Sequence, residues 1–480
     1  MSIKAIKVLS LLLFFSITAL LPAPVMAADK HDALLHNQKF TGDFDKMNQN
    51  HTIRALVIYN DMLYFFDHGQ ARGAAYEILK LFEKFINKKL NKKIVKIRVL
   101  FIPTTRDRIL TDLAEGRGDL AVANLTITPQ RLKLVDFSEP LLREVKEILV
   151  TGPKAVKLNR LEDLAGHEIM VRHSSSYFGH LQGLNRSLVK AGLKKIELKP
   201  AGKYLEDADL LEMVNSDIIP WAVVDLHKAR FWTEIYDKLI LREDLVINSG
   251  GQIAWAFRKK SPQLKTVVNQ FIKQHRQGTL MGNIIFKRYL KNNRWVKNPN
   301  QKDKRKRFTE TVSLFQENGK RYNFDYLMLM ALAFQESQLD QKRRSSAGAI
   351  GIMQVLQSTA GDRNVDIKDI EKIENNINAG SKYLRFIYDR YYADNQKMDD
   401  LNKMLFSFAA YNAGPRKIAK MRTLTQKMGL DKNLWFANVE LAAAKHIGRE
   451  TVQYVSNIYK YYIAYRLSQE HLTQKERARD

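Results

Sequence analysis

From residue 53 to 277 the chain alternates short apolar runs with amphipathic ones. Arg54-Ala55-Leu56-Val57-Ile58 reads as a buried strand because its apolar positions are consecutive. Between Ala74 and Leu90 the residues Ala75, Ile78, Leu79, Phe82, Phe85 and Ile86 fall at helical spacing, which predicts a helix with one buried face. Val95 to Val99 alternates apolar and basic positions, as a half-buried strand does. Ile109 to Glu115 predicts a short helix stopped by Gly116, and Leu120 to Ala123 predicts the next strand. The alternation restarts over Asp163–Leu198 and again at Trp221–Asp225 and Gln252–Phe257. Ser261-Pro262 then opens a helix to Gln277, the serine suited to a cap and the proline to a first turn. Strands alternating with helices predict an α/β domain whose mostly parallel sheet is covered on both faces.

After Phe308 the strand signal disappears. Helical patterns occupy 308–318, 325–336, 376–392, 401–412 and 449–467, so the second half is predicted to be an all-α domain. Residues 291–307 separate the halves with eight basic residues, one acid and no apolar period. They read as a linker, either a solvated spacer or a tether to an anionic lipid or wall polymer. Residues 28–50 are polar and mixed, and are predicted to form a mobile lead-in. The expected organisation is a first domain over 51–290, the linker over 291–307 and a second domain over 308–480, with no internal repeat.

The N-terminus changes what the charge means. Lys4 and Lys7 precede an uncharged apolar run from Val8 to Leu21, which Pro22 and Pro24 break before Val25-Met26-Ala27. This predicts a secretory signal cleaved near Ala27. The alternative is an uncleaved anchor, which the shortness of the run disfavours. Lys+Arg 78 against Asp+Glu 51 leaves a net charge of +27. So large an excess points to an anionic partner. An exported chain does not meet cytoplasmic DNA, so a wall polymer or membrane surface is expected rather than nucleic acid. Cys is 0, which excludes disulfides, a thiolate metal site, a cysteine nucleophile and a lipid-modified cysteine. Membrane contact must then be peripheral. The 11 His show no metal-ligand spacing, so neither metal nor cofactor is expected.

The chemistry concentrates in the second half. Leu327 to Phe334 is almost wholly apolar, and Glu336 follows it. A carboxyl at the end of a buried helix loses hydration, so its pKa rises and it can stay protonated near neutral pH as a general acid. Beyond Glu336-Ser337 come Ser345, Gly348-Ala349-Ile350-Gly351-Ile352-Met353-Gln354, the run Asn375–Gly380, then Ala409-Ala410-Tyr411-Asn412-Ala413-Gly414-Pro415, and finally Glu450-Thr451 with Tyr454-Val455.

In this order, these segments resemble the goose-lysozyme-like lytic transglycosylases, which cleave bacterial peptidoglycan. The resemblance spans roughly 308–470 and implies an all-α lysozyme-like fold. It implies that Glu336 is the catalytic acid and base, that Ser345 helps hold an N-acetyl group, and that Met353 and Gln354 line the substrate groove. Tyr411 would face the carboxylate with Asn412 beside it, and Glu440 and Tyr454 would occupy outer groove positions. Ile352 stands where members usually have Leu, and Leu356-Gln357 where many have Met-Pro. Glycosidases generally need two carboxylates, and no second acid occupies a motif position. The family mechanism uses one: the glutamic acid protonates the leaving oxygen, the N-acetyl group assists, and the carboxylate then deprotonates the sugar's own 6-hydroxyl. An intramolecular nucleophile makes a second base less necessary. A lysozyme-type hydrolase on the same groove stays open, as does a receptor anchored by an inactive domain.

The run Gly116–Leu142, which includes Thr126 and Arg131, resembles the extracellular solute-binding proteins for polar amino acids over about 50–290. That resemblance implies a two-lobed type II periplasmic-binding fold closing about a hinge. It places Thr126 and Arg131 on a ligand carboxylate, where a planar guanidinium gives two parallel bonds, and Asp225 on the ligand's amino group. Asn124 departs from the usual Ser, and the loop Arg172–Tyr177 lacks the usual Gly. An amino-acid or muropeptide ligand is expected. The whole arrangement resembles membrane-bound lytic transglycosylases of the F type, which implies a periplasmic location at the outer membrane.

Overall fold

The computed structural model describes residues 39–477 apart from 61, 68, 69, 278 and 280–303. The signal segment and most of the linker therefore lie outside the described residues.

Both lobes of the first domain share one sheet. Strands Thr52–Ile58, Arg98–Thr104 and Leu120–Thr126 are parallel, with Thr52–Ile58 in the middle. The long strand Ile240–Phe257 pairs antiparallel with Leu120–Thr126 and with Leu142–Thr151, which pairs in turn with Trp221–Asp225. The sheet is thus mixed rather than mostly parallel. The expected strand at Gln252–Phe257 is the end of an 18-residue element that passes from one lobe to the other. Glu168–Val171 and Glu197–Pro200 form a separate parallel pair in the second lobe.

Three local expectations are corrected. The strand placed at Val95–Val99 starts at Arg98, and Ile94 and Val95 are exposed in the loop before it. Alternating lysines fit an exposed loop as well as a pleat. The lead-in is ordered from residue 39. Phe44–Gln49 is helical with Phe44 and Met47 buried, and Arg54 donates to the Phe40 carbonyl at 3.1 Å. Finally, Ser261 makes no side-chain cap on the helix Pro262–His275. Asp43 does that from the lead-in, accepting from the Gln263 and Leu264 amides at 2.9 Å each. A carboxylate there satisfies two otherwise orphaned N–H groups. Arg54, in a buried strand, is matched by Asp119 at 2.8 Å.

The second domain is helical throughout. Helix Tyr326–Ser337 is its core, packed against Lys304–Tyr322 and Arg449–Arg477, with Ile373–Tyr391, Asp400–Ala413, Pro415–Lys427 and Glu440–His446 around it. The two domains touch. Tyr204 of the second lobe stacks on Phe436 at 4.4 Å, Lys460 reaches Glu212 at 2.6 Å, and Arg449 lies 5.0 Å from the Phe65 ring of the first lobe. Both lobes therefore meet the helical domain, two of these contacts coming from the helix that begins at Arg449.

Candidate active site and ligand cleft

Helix Tyr326–Ser337 delivers the candidate acid. Asp325 caps it by accepting from the Leu327 amide at 2.9 Å, and Leu329 to Phe334 are buried along it. Gln338 ends it in the left-handed region at φ 59. Held against this core, the Glu336 carboxyl loses water, and its pKa rises to about 7. The Tyr454 hydroxyl donates to Glu336 Oε1 and opposes that rise by favouring the charged form. Near neutral pH such a carboxyl is populated in both forms, so it can give a proton and then take one.

Tyr411, on Asp400–Ala413, is close enough for the Glu336 charge to help raise its own pKa, after burial. Its hydroxyl donates to the Met353 carbonyl at 2.9 Å. The loop bearing Met353 is locked from below. Ser337 Oγ donates to the Ile352 carbonyl at 2.8 Å. Asn376 accepts from the Met353 amide and donates to the Ile350 and Ile370 carbonyls, each at 2.9 Å. Gly351 has φ +77, and a Cβ there would lie 2.5 Å from Asn376 Nδ2, so only glycine fits. The two glycine-containing segments read separately in the sequence are halves of one lock, and Asn376, which joins them, was not singled out. The Asn-Asn pair at a helix start was the available signal.

The other expected residues are placed unevenly. Ser345 Oγ accepts from the Ala349 amide at 3.0 Å, holding the turn beside the loop. Gln354 sits at φ 49 and donates to the Gly351 carbonyl at 2.8 Å. Asn412 is exposed and accepts from Thr451 at 2.8 Å. Met353 does not line a groove: its side chain is 0% exposed and packs on Gly380, where a Cβ would come within 2.6 Å of it. Its contribution is the carbonyl that Tyr411 holds. Glu440 is buried and accepts from the Ala437 amide at 2.9 Å, at a kink where Ala437 has φ 58. It faces a chamber between the domains together with Tyr204 and Arg449. Tyr454, expected farther out, is the group bonded to Glu336.

In the first domain, Arg131 spans the lobes. It donates to the Thr126 carbonyl at 2.8 Å and to the Ser174 carbonyl at 2.9 Å. Burial and the neighbouring Arg106 charge lower its pKa to about 10. Thr126 Oγ1 accepts from Ser176 at 3.3 Å. Asp225 closes its strand, but the seat expected for a ligand ammonium holds Lys228, whose Nζ is 2.8 Å from Asp225 Oδ2. Lys228 also reaches Asp207 at 2.8 Å, Arg172 pairs with Asp207 and Glu206, and Arg106 donates twice to Glu206 at 2.9 Å. Arg106, Thr126, Arg131, Arg172, Asp225 and Lys228 line a cavity of about 30 Å³.

Residues 58–292 match the bacterial extracellular solute-binding proteins, family 3, and residues 313–435 match the transglycosylase SLT domain. The chain is 26% identical over 435 residues to a membrane-bound lytic murein transglycosylase F of Desulfosudis oleivorans, covering 87% of this chain and 90% of that one. It is 29% identical over 371 residues to one of Maricaulis maris, covering 73% and 77% respectively. Among solved structures, an ancestral arginine-binding protein bound to arginine covers 50% of this chain and 97% of its own, at 23% identity and a TM-score of 0.40. With a domain of each family in this order, the chain is similar over most of its length to the membrane-bound lytic murein transglycosylases of the F type.

Proposed function

We propose that the helical domain cleaves the β-1,4 bond between N-acetylmuramic acid and N-acetylglucosamine in peptidoglycan, with Glu336 as its single acid and base. The observation that carries this is a carboxyl with a pKa near 7 at the end of a buried helix, bonded to a tyrosine. The Glu336 carboxyl gives its proton to the glycosidic oxygen as the bond to the anomeric carbon breaks. The substrate's N-acetyl oxygen takes the place left at that carbon. The Glu336 carboxylate then removes the proton of the 6-hydroxyl, whose oxygen displaces the N-acetyl group and closes a 1,6-anhydro ring. Glu336 ends protonated and no water is consumed. Ser345, Gln354, Tyr411 and Asn412 are proposed to bind the sugars, and Tyr454 to hold the carboxylate.

The first domain is proposed to bind an amino-acid-like or muropeptide ligand through Thr126, Arg131 and Asp225. The protein is proposed to be periplasmic, with its signal removed near Ala27, and to touch the outer membrane peripherally. The loop before Arg98 supports that contact: Ile94 is 93% exposed, between Lys92, Lys93 and Lys96. No described helix is long and apolar enough to cross a membrane.

The test digests purified sacculi with the protein and with Glu336→Gln, and weighs the soluble products. Muropeptides one water lighter than reducing ones, absent with the variant, are expected. Reducing products would make the protein a hydrolase and sink the proposed ring closure.

A further inference from the structure

The first domain's cleft departs from a zwitterion site in its charges. A free amino acid brings one carboxylate and one ammonium, so its receptor needs a free cation and a free anion. Here the cation is available and the anion is not. Among the described residues no carboxylate lies at ion-pair distance from Arg131, whose bonds go to two backbone carbonyls. Glu147 contributes attraction from farther off, engaged by Ser176 at 2.8 Å and His180 at 2.6 Å. Asp225, by contrast, already holds an ammonium: Lys228 sits 2.8 Å from Oδ2, and Asn124 donates to the same oxygen at 3.3 Å. Lys228 is itself fixed by Asp207 and by the Tyr177 hydroxyl at 3.1 Å. A ligand ammonium would have to displace Lys228 or sit beside it as a like charge.

One atom of Asp225 is nevertheless unused. Asp225 is 1% exposed, and among the described residues Oδ1 has no hydrogen-bond partner. A buried carboxylate oxygen left without a donor is costly. A neutral N–H would satisfy it without adding charge beside Lys228. The small cavity that Arg131 and Asp225 line also shares Arg106, Asn124 and Lys228 with a chamber of about 250 Å³. A group on the far side of that N–H would therefore have room.

From these observations we infer that the cleft takes a carboxylate whose neighbouring nitrogen is acylated, as in an N-acyl amino acid or the C-terminal residue of a peptide, in preference to a free amino acid. Arg131 holds the carboxylate, Asp225 Oδ1 accepts the amide N–H, and Lys228 stands in for the ammonium that the ligand lacks. The inference rests on the reading of this domain as ligand-binding and names the ligand class. The acyl chain points toward the chamber that Phe436 and Arg449 of the helical domain close.

Calorimetric titration of the full chain with alanine, N-acetylalanine, N-acetyl-N-methylalanine and N-acetyl-alanylalanine tests this. N-acetylalanine is expected to bind at least about tenfold more tightly than alanine, and its N-methyl form, which has no N–H, about tenfold more weakly than N-acetylalanine. Tighter binding of N-acetyl-alanylalanine would identify a peptide end as the ligand, and equal binding a single acyl amino acid. Lys228→Met is expected to bring alanine up toward N-acetylalanine by freeing Asp225. The wild-type comparison stands even if that variant does not fold. Alanine binding as tightly as N-acetylalanine, or indifference to N-methylation, overturns the inference alone. No binding of any of the four overturns the ligand-binding reading and the inference with it.

Discussion

Replacing Tyr454 by Phe should move the acid's titration upward, not merely slow the enzyme. In the wild type, the Tyr454 hydroxyl donates to Glu336 Oε1 and is the one effect that opposes desolvation there. A hydrogen bond to a charged group contributes about 1.5–3 kcal/mol. At 1.36 kcal/mol per pKa unit, its loss raises the carboxyl by about one to two units. The Glu336 pKa would pass from about 7 to roughly 8–9. Because the proposed reaction starts from protonated Glu336, the alkaline limb of kcat/KM should shift upward with it. That limb reports the free enzyme. The assay is the initial release of soluble muropeptide from sacculi between pH 5 and pH 10, at low substrate, for both proteins. The variant's maximum rate should fall, since the carboxyl loses its orienting partner, yet its fractional activity at pH 9 should exceed the wild type's. An unmoved alkaline limb, or one displaced to lower pH, would show that the tyrosine does not stabilise the carboxylate.

The same shift has a consequence for stability. Glu336 has a folded pKa above the ordinary 4.5, so between about 4.5 and 7 the folded protein binds more protons than the unfolded chain. Stability then falls as pH rises through that window, and the penalty persists above it. The raised value sets an upper bound of about 3 kcal/mol on the penalty. Tyr454→Phe should deepen it and extend the window upward. Glu336→Gln, which carries no charge at any pH, should remove it, so its melting temperature should exceed the wild type's at pH 8 by several degrees more than at pH 4.

Gly380→Ala should drive a methyl into Met353, because its Cβ would lie 2.6 Å from the Met353 side chain. Overpacking of this kind costs about 1–3 kcal/mol, and a melting temperature within a degree of wild type would contradict the packing. Lys460→Met should break a largely buried pair at 2.6 Å and leave Glu212 to the Tyr236 hydroxyl at 3.2 Å. Breaking a buried pair costs about 3–5 kcal/mol, and limited proteolysis should show the domains cut apart faster; an unchanged digestion pattern would mean that the pair does not hold the interface. Ile94→Ser with Val95→Ser should weaken sedimentation with anionic vesicles, with no change in melting temperature because both side chains are exposed. Equal sedimentation would remove this loop from the proposed membrane contact.

The sequence exposed what is local and periodic. Strand Thr52–Ile58, helix Ala74–Lys89 and helix Tyr326–Ser337 were legible because their own residues carry the pattern that burial requires. The raised pKa of Glu336 was legible for the same reason, since an apolar run ending in a carboxyl states its own desolvation. What stayed hidden depends on residues far apart. Tyr454 lies 118 residues from Glu336, and nothing near it in sequence marks it as the acid's partner. Asp43 caps a helix 220 residues downstream, so Ser261-Pro262 looked self-sufficient when it was not. Glu440 resembled a groove residue, but a backbone kink one turn earlier needed its carboxylate at the Ala437 amide. Lys228 is the plainest case. Three residues after Asp225, it reads as an ordinary helix lysine. Only the fold, by bringing Asp207 and Tyr177 around it, turns it into a fixed charge that alters what Asp225 can accept. The resemblance implied a ligand amino group at Asp225 from its position alone. The chemistry of that position is set by neighbours the motif does not contain, so the proposed preference for an acylated nitrogen follows from the charges in the cleft and not from the resemblance.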